Sequence, residues 1–124
     1  MKRIMIPVIA MACLLAAPLA RADDPVKVDP KHYQVEFEND TVRVLRIHYG
    51  PGEKSVMHSH PDGVVIYLTD AETTMTFPDG KTKVNSAKAG TVQAAPGGPH
   101  LPQNTGSKAM DLILVEFKNK PGAM

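Results

Sequence analysis

Short runs of alternating polar and apolar residues, separated by glycine and proline turns, most constrain the fold of this chain. The triplet Pro-Asp-Gly occurs at residues 61–63 and again at 78–80, and each copy is a strong signal for a tight turn. After residue 22, no segment keeps the apolar period of a helix. The pattern predicts strands at residues 33–38, 41–49, 56–60, 64–69, 73–77, 82–84, 91–93, 100–103 and 111–117. Many short strands with frequent turns favour an all-β sandwich or barrel.

The first 22 residues are typical of a secretory signal peptide. Lys2 and Arg3 precede an apolar run over residues 4–19, and the triplet at residues 20–22 is a small-x-small cleavage site. The apolar run is too short for a convincing membrane span. We therefore expect cleavage after Ala22, a periplasmic or secreted location, and a mature chain of 102 residues, the full 124 less 22.

The expected organisation has four parts. They are the signal peptide over residues 1–22, an extended N-terminal arm over 23–32, one domain over 33–118, and a C-terminal tail over 119–124. The mature length is enough for one small domain with a single core.

Composition excludes several classes of function. Cys13 lies in the apolar run, so the mature chain has no cysteine and no disulfide, thiolate nucleophile or thiolate zinc site. A lipid anchor at Cys13 is an alternative, but residues 10–12 match a lipoprotein cleavage box poorly. Three of the 14 basic residues lie in the signal, which leaves 11 against 13 acidic ones. This balance gives no footprint for nucleic acid or for an anionic membrane.

Two blocks place histidine beside glycine and proline. The first is Gly52, five residues and then His58-Ser59-His60; the second is Gly90, five residues and then Pro96-Gly97-Gly98-Pro99-His100, with Asn104 four positions on. On a strand, residues two apart share a face and lie about 6.6 Å apart. His58 and His60 can therefore bind one ion, and His100 would add a third imidazole if it reaches the same point.

These blocks resemble the two signature motifs of the cupin superfamily. The matching residues are Gly52, His58 and His60 in the first motif, and Gly90, Pro96, Gly98, His100 and Asn104 in the second. The resemblance spans residues 35–117 and is to the small single-domain cupins of bacteria. It implies a double-stranded β-helix, a form of jelly roll, with one divalent metal ion at His58, His60 and His100. Many cupins form homodimers, so we expect a homodimer here.

The first motif departs from the family pattern at one ligand. The usual glutamate would fall at Val64, or at Val65 with the longer spacing, and valine cannot bind metal. Asp62 and Gln103 are candidate oxygen ligands in its place, although an exposed turn is the commoner role of aspartate in Pro-Asp-Gly. The identity of the metal stays open among Fe, Mn, Zn, Ni and Cu.

The remaining candidate residues are given packing roles. His32 precedes the first strand and is expected to be exposed. His48 is expected to be a packed core or interface residue, with a role as an inward proton relay as the alternative. Met57 and Tyr67 are expected to pack rather than to bind metal. Strands 41–49 and 111–117 are apolar on both faces, which predicts that a second copy or the N-terminal arm covers the outer face.

Three neutral imidazoles leave a divalent metal its full charge and open positions. We therefore expect a periplasmic metal-binding cupin that takes a small organic ligand or substrate. If it is an enzyme, the resemblance favours oxygenase-type chemistry, or isomerase-like chemistry with another metal. The alternative is a non-catalytic ligand-binding or structural cupin, with or without metal. The sequence shows no Ser–His–Asp arrangement and no obvious general base.

Overall fold

The computed structural model describes residues 23–118, so the predicted signal peptide with Cys13 and the predicted tail lie outside the described residues. Each of the predicted strand segments overlaps an observed strand. The elements are α1 Pro25–Val28, β1 Tyr33–Glu38, β2 Val42–Tyr49, β3 His58–His60, β4 Gly63–Tyr67, β5 Ala71–Thr76, β6 Thr82–Ala87, β7 Val92–Ala95, β8 Gly98–Asn104 and β9 Met110–Phe117. None of the helical segments in this part of the chain is long and apolar enough to span a membrane.

The strands form two antiparallel sheets. One has the order β1-β2-β9-β4-β7 and the other the order β3-β8-β5-β6. Strands distant in sequence lie side by side, because β9 pairs with both β2 and β4, and β8 pairs with both β3 and β5. The predicted all-β jelly roll is therefore confirmed.

The core lies between the two sheets and is built from alternate residues of the paired strands. Leu45 pairs with Leu114, and Ile47 pairs with Leu112, across β2 and β9. The buried apolar residues are Tyr33, Leu45, Ile47, Tyr49, Tyr67, Met110, Leu112 and Leu114. Leu45 is fully buried, and truncating such a residue to alanine typically costs about 2–5 kcal/mol of stability.

Glycine is required where β4 meets β9. A Cβ atom on Gly63 would lie 2.1 Å from the carbonyl oxygen of Val115, so any other residue would push the two strands apart. This close approach fixes β4, and with it the Pro61 turn that follows the histidines of β3.

The segment over residues 23–32 differs from the predicted extended arm. It contains one helical turn, which begins where Asp24 accepts a hydrogen bond from the Val26 N–H at 3.0 Å. Pro25 occupies the first helical position, where its fixed φ favours a helix and its missing N–H costs nothing.

Several outward apolar side chains stay exposed in the single chain. Phe37 is 54% exposed and Val92 is 61% exposed. The N-terminal segment packs against β1 and β3 and leaves Phe37 uncovered. The N-terminal segment therefore does not cover Phe37 on β1, and what covers the outer faces of β2 and β9 stays a prediction.

Candidate metal centre

The pairing of β3 with β8 brings the three predicted histidines together. His58 lies directly opposite His100 in the antiparallel register, and His60 follows on the same face of β3. One ring nitrogen of each histidine lies within 4.8 Å of those of the other two. The ring centroids are 4.8 to 5.1 Å apart. This is the arrangement that the two sequence motifs predicted.

Hydrogen bonds at Nδ1 set the orientation of two of the rings. The His58 Nδ1–H donates to the Val56 carbonyl oxygen at 2.8 Å, and the His60 Nδ1–H donates to a Glu116 carboxylate oxygen at 2.6 Å. Both partners are acceptors, so the proton of each neutral ring is assigned to Nδ1. The two Nε2 atoms then carry lone pairs that face each other 3.0 Å apart. Two lone pairs repel at this distance unless a cation or a proton lies between them.

His100 completes the group with a nitrogen that lacks a partner. Its Nε2 atom is buried and makes no hydrogen bond, and it is the one such side-chain nitrogen or oxygen found among the described residues. Leaving such a group unsatisfied typically costs about 1–3 kcal/mol. Three converging nitrogens with available lone pairs fit a divalent transition metal, because imidazole is a good ligand for Fe, Ni, Cu and Zn.

Burial keeps His58 and His100 neutral, as metal ligands must be. Burial, together with the nearby His60 ring, lowers the pKa of His58 to about 4 against the opposing effect of the Val56 hydrogen bond. Burial also lowers the pKa of His100 to about 3, with smaller effects from His60 and His58. Both rings are therefore unprotonated at neutral pH, so little proton release is needed when a cation binds.

Behind His60 lies a buried ion pair that sequence reasoning missed. The Glu116 side chain is 2% exposed, and its second oxygen accepts a hydrogen bond from Arg43 Nε at 2.7 Å. Burial alone would raise the pKa of Glu116, but hydrogen bonds from His60 and Arg43 outweigh it and hold that pKa below its usual value. Glu116 is therefore a carboxylate that fixes the His60 ring and makes it a better ligand.

A signal for this pair was present in the sequence. Glu116 has the strand parity of Leu112 and Leu114, and Arg43 has the parity of Leu45 and Ile47. Opposite charges on the inward faces of two apolar strands indicate a buried pair. The register confirms that Arg43 lies directly opposite Glu116.

A cavity of about 600 Å³ adjoins the histidines, and both His60 and His100 line it. Its size is within the range of roughly 300–1,000 Å³ that suits small-molecule ligands. Apolar side chains dominate the wall, and polar groups are few. The lining includes Tyr33, Ile47, Tyr49, Val65, Tyr67, Met75, Phe77, Asn85, Gln93 and Leu114.

Neither of the candidate oxygen ligands lies in the group. Asp62 is exposed and accepts a hydrogen bond from the Gly97 N–H at 2.6 Å, which is the turn role expected for it. The Gln103 amide donates to the Gly52 carbonyl oxygen at 3.3 Å. Val65 lines the cavity while Val64 does not, so the position of the family's glutamate with the longer spacing is an apolar part of the wall.

The prediction for His32 is wrong, and that for His48 is wrong in part. His32 was expected to be exposed but is buried, stacked on Tyr49 at 4.2 Å with its nitrogens bound by Asp29 and Glu53. His48 is neither a core residue nor an inward relay, since its side chain is 56% exposed and pairs with Asp111 at 2.8 Å, while a role at an interface stays a prediction. Its strand neighbours Ile47 and Tyr49 take the inward positions, so parity turns His48 outward. Tyr67 is buried as predicted.

Comparison with solved structures identifies the fold. A cupin-domain protein from Bordetella pertussis Tohama I matches with a TM-score of 0.65 and 24% identity, covering 70% of this chain and 92% of its own. A cupin family protein with a double-stranded β-helix fold from Methanocaldococcus jannaschii matches with a TM-score of 0.54 and 24% identity, covering 72% and 83%. An oxalate decarboxylase variant from Bacillus subtilis matches with a TM-score of 0.50 and 19% identity, covering 65% of this chain and 22% of its own.

These likenesses confirm the cupin fold that the two motifs indicated. No family model and no curated protein matches the sequence itself.

Proposed function

We propose that this chain is an exported cupin that binds one divalent transition metal through His58, His60 and His100, next to a cavity for a small organic molecule. The observation that carries the proposal is the convergence of three buried ring nitrogens. The Nδ1–H groups of His58 and His60 already donate hydrogen bonds, so the Nε2 atoms of these rings are left for an ion. The Nε2 atom of His100 has no hydrogen-bond partner within the described residues. A purely structural histidine cluster would be expected to satisfy these nitrogens internally.

The cavity supports a ligand with a mainly apolar body. The cavity reaches the face where His60 and His100 lie, so a bound ligand would contact both rings. One group of polar side chains in the wall lies around Tyr67, whose hydroxyl accepts a hydrogen bond from the Asn85 amide at 2.8 Å and donates to Gln93 at 3.3 Å. These groups can orient a ligand by its polar end, while the apolar wall sets its size.

The second candidate function is turnover of that ligand, of the oxygenase type. When bound, a redox-active metal with only three protein ligands supplies open positions for a substrate oxygen or sulfur atom and for dioxygen. The observation that favours this candidate is that His60 and His100 lie in the cavity wall, so the open positions would face the ligand. Val65, in place of an acidic ligand, leaves one more position unfilled.

Metal binding is tested on protein purified from the periplasmic fraction. We expect about one equivalent of a transition metal by elemental analysis, and its loss in His58→Ala and in His100→Ala. His48→Ala is the matched control, because it removes an exposed histidine from β2, which lies in the other sheet. A wild-type protein that neither retains nor takes up Fe, Mn, Zn, Ni or Cu would contradict the proposal.

Turnover is tested by oxygen uptake on the metal-loaded protein. Thiols, diketones and phenolic acids are suitable substrates, because each can reach a metal through sulfur or oxygen. We expect uptake with one class and none with His58→Ala. Uptake that is unchanged in His58→Ala would exclude the metal mechanism, and no uptake with any class would favour a ligand-binding cupin.

Export and assembly complete the proposal. The basic start, apolar run and cleavage triplet of residues 1–22 support a periplasmic or secreted location. Mass spectrometry of the mature protein should find Asp23 as its first residue. The exposed apolar side chains, Phe37 and Val92 among them, support a homodimer, and light scattering at micromolar concentration should give twice the chain mass. A monomer there would contradict the dimer.

A further inference from the structure

We propose that the N-terminal segment, residues 23–29, positions His60 of β3 through one chain of hydrogen bonds and supports His58 through a second, weaker chain that acts beside the Val56 carbonyl oxygen. Asp24 and Asp29 are the positioning residues, and neither touches the three-histidine group itself. The inference rests on the proposed metal site for its effect on affinity. Its effect on the rings exists without metal.

The first chain runs from Asp24 to His60. The two Asp24 carboxylate oxygens accept hydrogen bonds from the two terminal nitrogens of Arg43 at 2.8 and 2.9 Å. Arg43 Nε donates to Glu116 at 2.7 Å, and Glu116 accepts the His60 Nδ1–H at 2.6 Å. Arg43 thus uses both sides of its planar fork, and a guanidinium held in this way has little freedom to turn. Asp24 therefore fixes the carboxylate that fixes His60.

The second chain runs from Asp29 to His58. The Ser55 hydroxyl donates to Asp29 at 2.6 Å, so its oxygen is left to accept from the His58 Nδ1–H at 3.2 Å. Asp29 is itself buried and also binds His32 Nδ1 at 2.8 Å. This chain is the weaker of the two, because the Val56 carbonyl oxygen lies closer to His58 Nδ1.

Both chains end on an Nδ1 atom, of His60 in the first chain and of His58 in the second. The hydrogen bond at Nδ1 sets the orientation of the ring and leaves the lone pair on Nε2. Apart from the Val56 carbonyl oxygen, the hydrogen-bond partners of these two Nδ1 atoms within residues 23–118 belong to the two chains. The segment is also attached to β3 directly, since the Ser59 N–H donates to the Asp23 carbonyl oxygen at 3.1 Å. Residues just after the predicted signal thus control the geometry of a site that begins thirty residues later.

The test distinguishes the two roles of Asp24, which pairs with Arg43 and also caps the helical turn. Asp24→Asn keeps a good N-cap oxygen for the Val26 N–H but loses the charged pairing with Arg43. We expect its Kd for Zn²⁺ or Co²⁺ to rise roughly three- to tenfold, less than the 10- to 100-fold typical when a direct partner of a ligand is changed. Asp23→Asn is the matched control, because the hydrogen bond that Asp23 accepts from the Ser59 N–H uses its backbone carbonyl oxygen and not its side chain.

A second readout uses the metal-free protein. Nitrogen-15 NMR of the imidazoles should show His60 as a single Nδ1–H tautomer in the wild type and in Asp23→Asn. It should show a mixture of tautomers in Asp24→Asn. Identical His60 spectra and identical Kd values for the two variants would overturn the inference. If the wild type binds no metal, the proposed function fails, while the tautomer comparison still decides whether the segment positions the ring.

Arg43→Lys covers the case in which Asp24→Asn does not fold. Lysine keeps the charge but cannot hold Asp24 and Glu116 together through one planar fork. We expect the same mixed tautomers and weaker metal binding. Arg46→Lys on the same strand changes an exposed pair with Glu36 and should have no effect on His60. An Arg43→Lys protein with wild-type tautomers and affinity would also overturn the inference.

Discussion

The histidines of β3 and the histidine of β8 face the same point but are supported differently. His58 and His60 each have Nδ1 hydrogen-bonded, to Val56 and to Glu116. His100 has a buried Nε2 with no partner among the described residues. One strand therefore carries two oriented rings, and the other carries a ring whose buried nitrogen has no hydrogen-bond partner within residues 23–118.

This difference in support assigns the two strands different contributions to the free energy of metal binding. A ring that is already oriented loses little freedom when it binds a metal, so β3 contributes preorganisation. His100 Nε2 on β8 has no partner in the free protein, which costs free energy. A bound metal would give this nitrogen a partner and would remove that cost. The two strands should then respond differently to mutation, pH and changes behind the ligands.

The largest contrast is expected between His60→Ala and His100→Ala. Each should weaken metal binding by more than the roughly 10- to 100-fold typical of changes behind a ligand. Only His60→Ala leaves a buried Glu116 oxygen without its donor, at a cost of about 1.5–3 kcal/mol. Urea denaturation of the metal-free proteins should show the larger loss of stability for His60→Ala. Equal losses would show that the two strands are not supported differently.

The next effect is the pH dependence of the metal-free protein. Above about pH 6.5, His58 and His100 are neutral in both the folded and the unfolded states. Below about pH 6.5, these two histidines become protonated in the unfolded chain but stay neutral in the folded protein, since their folded pKa values are about 4 and about 3. The free energy of unfolding should therefore fall as the pH falls from about 6.5 to 5, above the range where carboxylates titrate.

Urea denaturation across that pH range measures the effect. His100→Ala should reduce the slope, because it removes the ring with the lower folded pKa. A stability that does not change over the range would contradict the burial of these rings as neutral groups.

A smaller effect is expected from Glu116→Gln. Glutamine can still accept the His60 Nδ1–H, but it loses the charge that makes the ring a better ligand and that pairs with Arg43. We expect metal binding about 10- to 100-fold weaker, measured by competition with a chelator. Glu36→Gln is the matched control, since Glu36 pairs with Arg46 at the surface. Wild-type affinity in Glu116→Gln would show that β3 needs no charged support.

The smallest effect is expected from Ser55→Ala. The variant removes the 3.2 Å contact to His58 Nδ1 but leaves the 2.8 Å bond to the Val56 carbonyl oxygen. The metal Kd should change by less than the roughly tenfold lower limit for a sole partner. A loss as large as that of Glu116→Gln would show that the hydroxyl, rather than the backbone, orients His58.

The strands and the pair of histidines on β3 were predictable because both follow local patterns, whereas the double-stranded β-helix was implied by the family resemblance. Turn residues mark the strand ends, and the spacing of His58 and His60 places them on one face whatever the rest of the chain does. The convergence of His100 came from the resemblance of the motifs. The pairing of His58 with His100 could not be derived from spacing alone, since the strands lie forty residues apart.

The support behind the ligands was less accessible. Glu116 and Arg43 meet only because β2 and β9, the first and last long strands, are neighbours in the sheet. The burial of His32 depends on Asp29 and Glu53, which the chain brings to it from a helical turn and from a distant loop. Such contacts depend on topology, and alternation within one strand does not reveal them.

The shortness of β3 links the proposed metal site to the lifetime of the protein. Within the described residues, this strand has three residues and pairs in its sheet with β8 alone, so few strand-to-strand hydrogen bonds hold it. An ion shared by β3 and β8 would close that seam, with a strength that grows with the free metal concentration. Molecules without metal would open first between β3 and β8 and would be degraded sooner. The supply of metal would then regulate the abundance of the protein as well as its chemistry.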